Sequence, residues 1–392
     1  MELSPEAQLA QLKRGTAQII NETELLEKLR SGRPLNVKLG VDPSTADLHL
    51  GHSIALEKLR QFQDLGHQAV LIIGDFTAMI GDPSGKSKTR KHLTHDEVMV
   101  NAKSYQEQAF KILNPQKTRM VFNGEWLEVM HFEEIIKLTS RVTLQQMMQR
   151  EDFKTRFDDG SPVHLHELLY PIIQGWDSVK IRADVELGGT DQMFNILVGR
   201  ELQRQENQPQ QTVILLPLLE GLDGAQKMSK SLGNYVGVSE PPNEMFGKLM
   251  KISDELMARY YLLLLGKETP AIHPMDAKRL LACEIVQRYH SHEAAQTALD
   301  DFNLRFSKRD LEHAELPEIK LNGVQRDAIS VVVAAYSQAF QKNRSRSDAR
   351  RLVEQGSVQV RGEKITDPKA TLEFQNGDVL RLDKTHAVRI AG

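Results

Sequence analysis

Between residues 37 and 216, short apolar runs of strand length alternate with longer stretches of helical period. No other feature restricts the fold of this chain as strongly. The runs 37–41, 70–73, 119–122, 185–187 and 213–216 predict strands. The stretches 53–64, 94–113, 132–148, 167–176 and 192–205 predict the helices between them. Such alternation is the pattern of strand–helix–strand units, which pack as a mostly parallel sheet with helices on its faces. The expectation is an open, doubly wound, Rossmann-like α/β domain with ligands at the carboxyl ends of its strands. Residues 1–30 read as helical, with Asn21-Glu22-Thr23-Glu24 as a capping box ahead of Leu25, Leu26 and Leu29. Strands stop near Glu240, and 243–335 reads as helices broken at 266–274 and 315–323. The end of the chain returns to a small mixed α+β pattern with turns at Gly356, Gly362 and Gly377. The predicted domains are therefore 1–238, 239–336 and 337–392.

Composition excludes several classes. With 40% hydrophobic and 26% charged residues the chain is neither disordered nor collagen-like. It has no apolar run of about 18 residues, so no membrane span is expected. Met1-Glu2-Leu3-Ser4-Pro5-Glu6 has neither the basic segment nor the apolar core of a secretory signal. A single cysteine, Cys283, can make neither an internal disulfide nor a thiolate metal site, which fits a reducing cytoplasm. The formal net charge of −3 argues against a uniformly basic nucleic-acid binder. Residues 337–392, however, carry eleven Lys/Arg against seven Asp/Glu, a local +4. A small basic module on an acidic body suits a localised polyanion contact, and a solvated charged surface has the same composition.

Four motifs carry chemistry. His49-Leu50-Gly51-His52 opens a helix just after the strand ending Val41-Asp42-Pro43. Two imidazoles three apart at a helix N-terminus can both face a phosphate, with free backbone N–H groups beside them. A simple helix cap and half of a metal site share that spacing, but no third ligand lies nearby in sequence, so no metal site is predicted. Gly81-Asp82-Pro83-Ser84-Gly85-Lys86-Ser87-Lys88-Thr89-Arg90 resembles a phosphate loop, with one residue too few between its glycines. It is a cationic turn at the ligand edge of the second strand. Lys227-Met228-Ser229-Lys230-Ser231 follows the last strand, and two lysines on such a loop can close over a triphosphate as mobile point charges. Tyr170, Gln174 and Asp177 lie on one helical face, where they form either a satisfied core network or one wall of a pocket. Gly188-Gly189-Thr190-Asp191-Gln192 could supply the opposite wall.

The pair HLGH and KMSKS resembles the signature of the class I aminoacyl-tRNA synthetases, and the chain resembles the bacterial tyrosyl-tRNA synthetase family over essentially its whole length. The resemblance is carried by 38–52, 81–90, 170–177, 188–192 and 221–234. The end of the chain, with Ser347-Asp348-Ala349-Arg350-Arg351-Leu352 and Val358-Gln359-Val360-Arg361-Gly362, is similar to a small RNA-binding fold shared with a ribosomal protein. The resemblance implies a catalytic domain, a helical anticodon-region domain and a basic RNA-binding domain. It implies activation of L-tyrosine by ATP to tyrosyl-adenylate, then transfer to the terminal adenosine of tRNA(Tyr). Mg²⁺ would arrive with ATP, and no tightly bound cofactor is expected. It also implies a cytoplasmic homodimer, joined through apolar segments between about 125 and 157.

Residue by residue, the resemblance places His49, His52, Lys86, Arg90, Lys227 and Lys230 on the transferring phosphates. Gly40, Asp42, Ser44, Gly51, Asp191, Met228, Ser229 and Ser231 fall in the ATP site. Asp82, Tyr170 and Gln174 match the groups around the tyrosine ammonium, Gln192 one near its carboxylate, and Asp177 the acceptor for its hydroxyl. Arg344, Arg346, Arg350, Arg351, Arg361 and Lys364 are the RNA-binding candidates. One departure stands out. Lys38 occupies a position where better-known bacterial members carry a tyrosine that also bonds the substrate phenol, which leaves the second phenol contact open. Rival readings are a tryptophanyl enzyme, an RNA-binding paralogue without activity, and a small-molecule nucleotidyltransferase. Intact ATP motifs disfavour the second, and the helical domain and basic tail disfavour the third.

Overall fold

The computed structural model describes residues 3–43, 47–83, 93–306, 316–383 and 385–391. It forms two compact units, Met1–Ser291 and His292–Gly392.

The first unit is built on six strands: β1 (Gln18–Ile20), β2 (Asn36–Val41), β3 (Gln68–Ile73), β4 (Thr118–Phe122), β5 (Val185–Gly189) and β6 (Thr212–Leu216). Their order is β1-β6-β5-β2-β3-β4. All neighbours are parallel except β1, which runs antiparallel to β6. Val70, Leu71, Ile72 and Ile73 are all buried, as expected for a parallel strand covered on both faces. The doubly wound expectation therefore holds. Strand order reverses between β2 and β5, and that crevice is where an open α/β sheet binds its ligand. The helix Leu165–Ile181 lies against Met193–Gln205 at a glycine contact, since a Cβ on Gly175 would come within 2.9 Å of the Gly199 nitrogen.

Three local expectations are corrected. Residues 18–20 form an edge strand, not helix, because Gly15 at φ +68° ends the first helix and leaves Ile19 and Ile20 to pair with β6. Asn21 sits at φ 64° and makes no side-chain cap; its Nδ2 donates to Glu24 Oε1 at 3.0 Å instead. The helix expected over 132–148 is two, Phe132–Thr139 and Leu144–Met147, the second started by a Thr143/Gln146 capping box.

The helices Pro242–Leu249, Asp254–Leu265 and Pro274–Tyr289 group with the first unit. The second unit holds a sheet ordered β7 (Glu318–Lys320), β11 (Ala387–Ala391), β10 (Val379–Arg381), β8 (Gln359–Val360) and β9 (Glu363–Lys364). Its core packs Val331, Val332, Ala335 and Tyr336 of the helix Ala328–Phe340 against Ala349, Val353, Leu380 and Val388. That helix falls largely before residue 337 in the sequence-based division, yet it supplies the centre of this second core.

Candidate active site

At the reversal between β2 and β5 the sheet opens into a cleft of about 390 Å³. The ends of β2 and β5 supply Gly40, Asp42, Glu186, Gly188 and Gly189 to its walls. Of the residues singled out in the sequence, His49, Gly51, His52, Asp82, Tyr170, Gln174, Asp177, Asp191, Gln192, Lys227, Met228 and Ser229 also line it. Lys230 and Ser231 do not, although Lys230 Nζ stands 3.3 Å from Asp47 Oδ2 and Ser231 Oγ 2.9 Å from Ser229 Oγ. Ser44, Lys86 and Arg90 lie outside the described residues.

The two histidines start the helix Leu50–Asp64. His49 Nδ1 accepts from the Gly51 N–H at 3.1 Å, and His52 Nδ1 accepts from the His49 N–H at 3.3 Å. With each Nδ1 committed as an acceptor, a neutral ring carries its proton on Nε2. The rings stack at 3.8 Å. Burial, then the neighbouring imidazole and Lys230, lowers the His49 pKa to about 3; burial and Lys230 lower that of His52 to about 4. At neutral pH the pair is two uncharged N–H donors. A Cβ on Gly51 would come within 2.9 Å of the His49 ring, so glycine lets the imidazole fold back onto its own helix.

The third motif is held by Asn234, whose Oδ1 accepts from Ser229 N at 2.8 Å and whose Nδ2 donates to Asp223 at 2.7 Å. Lys227 Nζ lies 3.7 Å from Asp191 Oδ2. Both lysines of the loop thus face carboxylates that a phosphate chain could replace.

Tyr170, Gln174 and Asp177 line the cleft from the helix Leu165–Ile181. Tyr170 Oη donates to Asp42 Oδ2 at 2.8 Å, and Thr77 Oγ1 donates to Asp42 Oδ1 at 2.7 Å. Asn123 Nδ2 reaches both Thr77 Oγ1, at 3.1 Å, and Asp177 Oδ2, at 3.3 Å. Trp126 Nε1 donates to Asp177 Oδ1 at 2.9 Å. Asp177 is buried, and this burial pushes its pKa up to about 7 against the opposing pull of Lys38, Trp126 and Asn123. An accepting carboxylate at one end of the pocket can take a further donor from a ligand.

Lys38 does not line the cleft. Its Nζ lies 2.8 Å from Glu186 Oε1 and donates to Ser178 Oγ at 2.7 Å and to the Gln174 carbonyl at 2.9 Å. An ammonium has three protons, and three partners use them. The position left open in the sequence is thus a buried lysine paired with Glu186 of the pocket wall.

Sequence reasoning missed Thr77, Asn123 and Trp126, and also the buried contact in which Arg150 Nη1 donates to Asn195 Oδ1 at 2.9 Å beside Gln174 and Gln192. Two signals could have found some of them. Asn123 directly follows the end of β4, a ligand-edge position, and Asn195 lies one helical turn beyond Gln192. The six candidate RNA-binding residues, Arg344, Arg346, Arg350, Arg351, Arg361 and Lys364, are all exposed in the second unit. Arg344 stacks on Tyr336 at 5.2 Å, and Arg346, Arg350 and Arg361 stand 3.6–3.8 Å from Asp327, Glu354 and Asp378.

Residues 30–307 match the family model of the class I tRNA synthetases for tryptophan and tyrosine. Curated relatives divide that class further. The chain is 51% identical over 381 residues to a tyrosine–tRNA ligase 2 of Pseudoalteromonas translucida, covering 94% of each chain. It is 48% identical to the tyrosine–tRNA ligase of Aquifex aeolicus, covering 96% of each. Among solved structures, the fold is similar to the tyrosyl-tRNA synthetase of Archaeoglobus fulgidus complexed with L-tyrosine. The TM-score is 0.61 at 21% identity, covering 75% of this chain and 99% of that one. A C-terminally truncated mitochondrial enzyme of Coccidioides posadasii gives the same TM-score and identity, covering 75% and 91%. The chain belongs to the class I tRNA synthetases of the tryptophan and tyrosine branch and, within it, to the tyrosine–tRNA ligase family.

Proposed function

We propose that the cleft joins L-tyrosine to ATP and that the product is used to charge tRNA(Tyr). In the first step a tyrosine carboxylate oxygen attacks the α-phosphorus, pyrophosphate leaves, and tyrosyl-adenylate remains. In the second, a ribose hydroxyl of the terminal adenosine attacks the carbonyl and AMP leaves. No side chain acts as nucleophile. Catalysis comes from holding the reactants in line and from donors aimed at the developing charge on phosphate.

The observation that carries this reading is one cleft, at the reversal of strand order, with phosphate-type donors on one wall and a hydrogen-bonding amino-acid pocket on another. The neutral His49 and His52 donate through Nε2 to the phosphate chain. Lys227 and Lys230 exchange Asp191 and Asp47 for phosphate oxygens, with Lys86 and Arg90 as further cations. Gly40 and Gly51 leave room for the nucleotide, with Met228 and Ser229 beside it. Asp82, Gln174 and Gln192 surround the ammonium and carboxylate of tyrosine, and Tyr170 holds Asp42 in place at the β2 end. Asp177 accepts the phenol proton. Mg²⁺ enters as the ATP complex.

The exposed arginines of the second unit grip the phosphate backbone of tRNA. Val129, Phe132, Ile136, Leu144, Phe157 and Leu165 are exposed, and an apolar surface of this kind suits a second copy in a cytoplasmic homodimer. The test is exchange of pyrophosphate into ATP, run with each of the twenty amino acids. Exchange with tyrosine alone supports the reading, and exchange driven by tryptophan or by none overturns it.

A further inference from the structure

We infer that Arg150 is a positioning residue for the amino-acid end of the cleft, because it sets which way the amides around the substrate point. The inference rests on the reading of tyrosine as substrate. Arg150 is 5% exposed, stands between the helices Leu144–Met147 and Glu151–Asp158, and does not itself line the cleft. Its Nη1 donates to Asn195 Oδ1 at 2.9 Å. Its Nη2 lies 3.8 Å from Asp82 Oδ1 and 3.2 Å from Asp152 Oδ2, and its guanidinium covers the Phe153 ring at 5.1 Å.

A guanidinium donates and never accepts. The Asn195 amide must therefore turn its oxygen to Arg150, which aims its N–H groups at the two glutamines. Asn195 Nδ2 donates to Gln174 Oε1 at 2.9 Å and to Gln192 Oε1 at 3.2 Å. Each glutamine now has its oxygen engaged and its NH₂ turned elsewhere. Gln192 Nε2 donates to Asp82 Oδ2 at 2.8 Å, and Gln174 Nε2 points to Glu186 Oε1 at 3.4 Å. The chain closes on Asp82, which also faces Arg150. Reversing Asn195 would set its NH₂ against the guanidinium and its oxygen against two oxygens. Relief would need both glutamines to turn, placing the Gln192 oxygen against the Asp82 carboxylate.

One donor-only group thus fixes the polarity of Asn195, Gln174, Gln192 and Asp82, and the last three line the cleft. An amino acid brings an ammonium that needs acceptors and a carboxylate that needs donors. Turning either glutamine exchanges one for the other.

The experiment compares Arg150→Met, Asn195→Asp and their double mutant in tyrosine-dependent pyrophosphate exchange. Asp at 195 still accepts from Arg150 but cannot donate to the glutamines, so it carries the test even where Arg150→Met fails to fold. Each single change should raise the KM for tyrosine by roughly ten- to a hundredfold, the range for losing a charge-assisted hydrogen bond. The KM for ATP should stay within about twofold, and the double mutant should be no worse than the worse single one, as expected within one network. A tyrosine KM within about twofold of wild type in Asn195→Asp overturns the inference. So does equal loss toward tyrosine and ATP, or additive effects. Wild-type protein that exchanges no pyrophosphate with tyrosine overturns the substrate reading instead, and this inference with it.

Discussion

Replacing Asp177 with Asn should separate what this residue costs the fold from what it gives the substrate. Burial raises the Asp177 pKa from 3.8 to about 7, so the folded protein holds its proton more tightly than the unfolded chain does. Three units at about 1.36 kcal/mol each make the ionised form cost about 4 kcal/mol at pH 8. Because the folded pKa is the raised one, this loss begins near pH 4 and is complete just above pH 7. Roughly a third is present by pH 5, leaving about 2–3 kcal/mol to disappear between pH 5 and pH 8. Asn is close in shape to the protonated acid and does not ionise. The two proteins should have similar unfolding free energies near pH 3, and Asp177→Asn should lead wild type by about 1.5 kcal/mol at pH 5 and by about 4 kcal/mol at pH 8. Urea unfolding without tyrosine at several pH values reads this difference. In the same variant, tyrosine activation should fall much further than phenylalanine activation. Rejection of phenylalanine through an unpaired polar group is a known property of tyrosyl enzymes, and Asp177 is the group proposed for that role here. Parallel stability curves, or an unchanged tyrosine-to-phenylalanine ratio, would refute the reasoning.

His49→Asn should keep the helix cap through its side-chain oxygen and lose the outward N–H. Stability should change by no more than about 0.5 kcal/mol while the single-turnover rate of adenylate formation falls by roughly 10²–10³. Since the pKa values of about 3 and about 4 keep His49 and His52 neutral, the pH–rate profile of activation should show no limb from them between pH 5.5 and 8. Lys38→Met leaves the buried Glu186 carboxylate without its counter-charge and should cost about 3–5 kcal/mol in denaturant unfolding. Cutting the chain after Ser291, at the boundary between the units, should leave tyrosine-dependent pyrophosphate exchange intact and abolish charging of tRNA.

The sheet, and the cleft position of His49, His52, Lys227, Met228 and Ser229, were legible because their signals are contiguous. HLGH sits between a strand and its helix, KMSKS follows the last strand, and the spacing of Tyr170, Gln174 and Asp177 gives one face. The partners that complete the pocket were not legible. Asn123 reaches Asp177 from just beyond β4 and Trp126 from the short helix Gly124–Leu127 after it, and Arg150 reaches Asn195 across 45 residues of chain. Position on the ligand edge marks Asn123, and spacing from Gln192 marks Asn195, but nothing local marks which side chains they meet, which tertiary packing decides. Lys38 shows the opposite case. Its departure from the common pattern was visible, but its partner Glu186 lies on a neighbouring strand, so whether it faced ligand or core depended on the pairing of β2 with β5. β1 departs from the helical expectation because a three-residue strand is decided by its partner rather than by propensity. The break at Thr143 does have a local signal, Thr143 and Gln146 in capping-box spacing.

Trapping the intermediate decides whether this cleft joins tyrosine to ATP. Incubated with tyrosine, ATP, Mg²⁺ and pyrophosphatase, then passed through a desalting column, the protein should retain tyrosine and AMP in equal amounts. Adding tRNA(Tyr) should release the AMP and move the tyrosine onto the RNA. Retention of nucleotide without tyrosine, or tyrosine that stays on the protein when tRNA(Tyr) is added, would contradict the proposed chemistry.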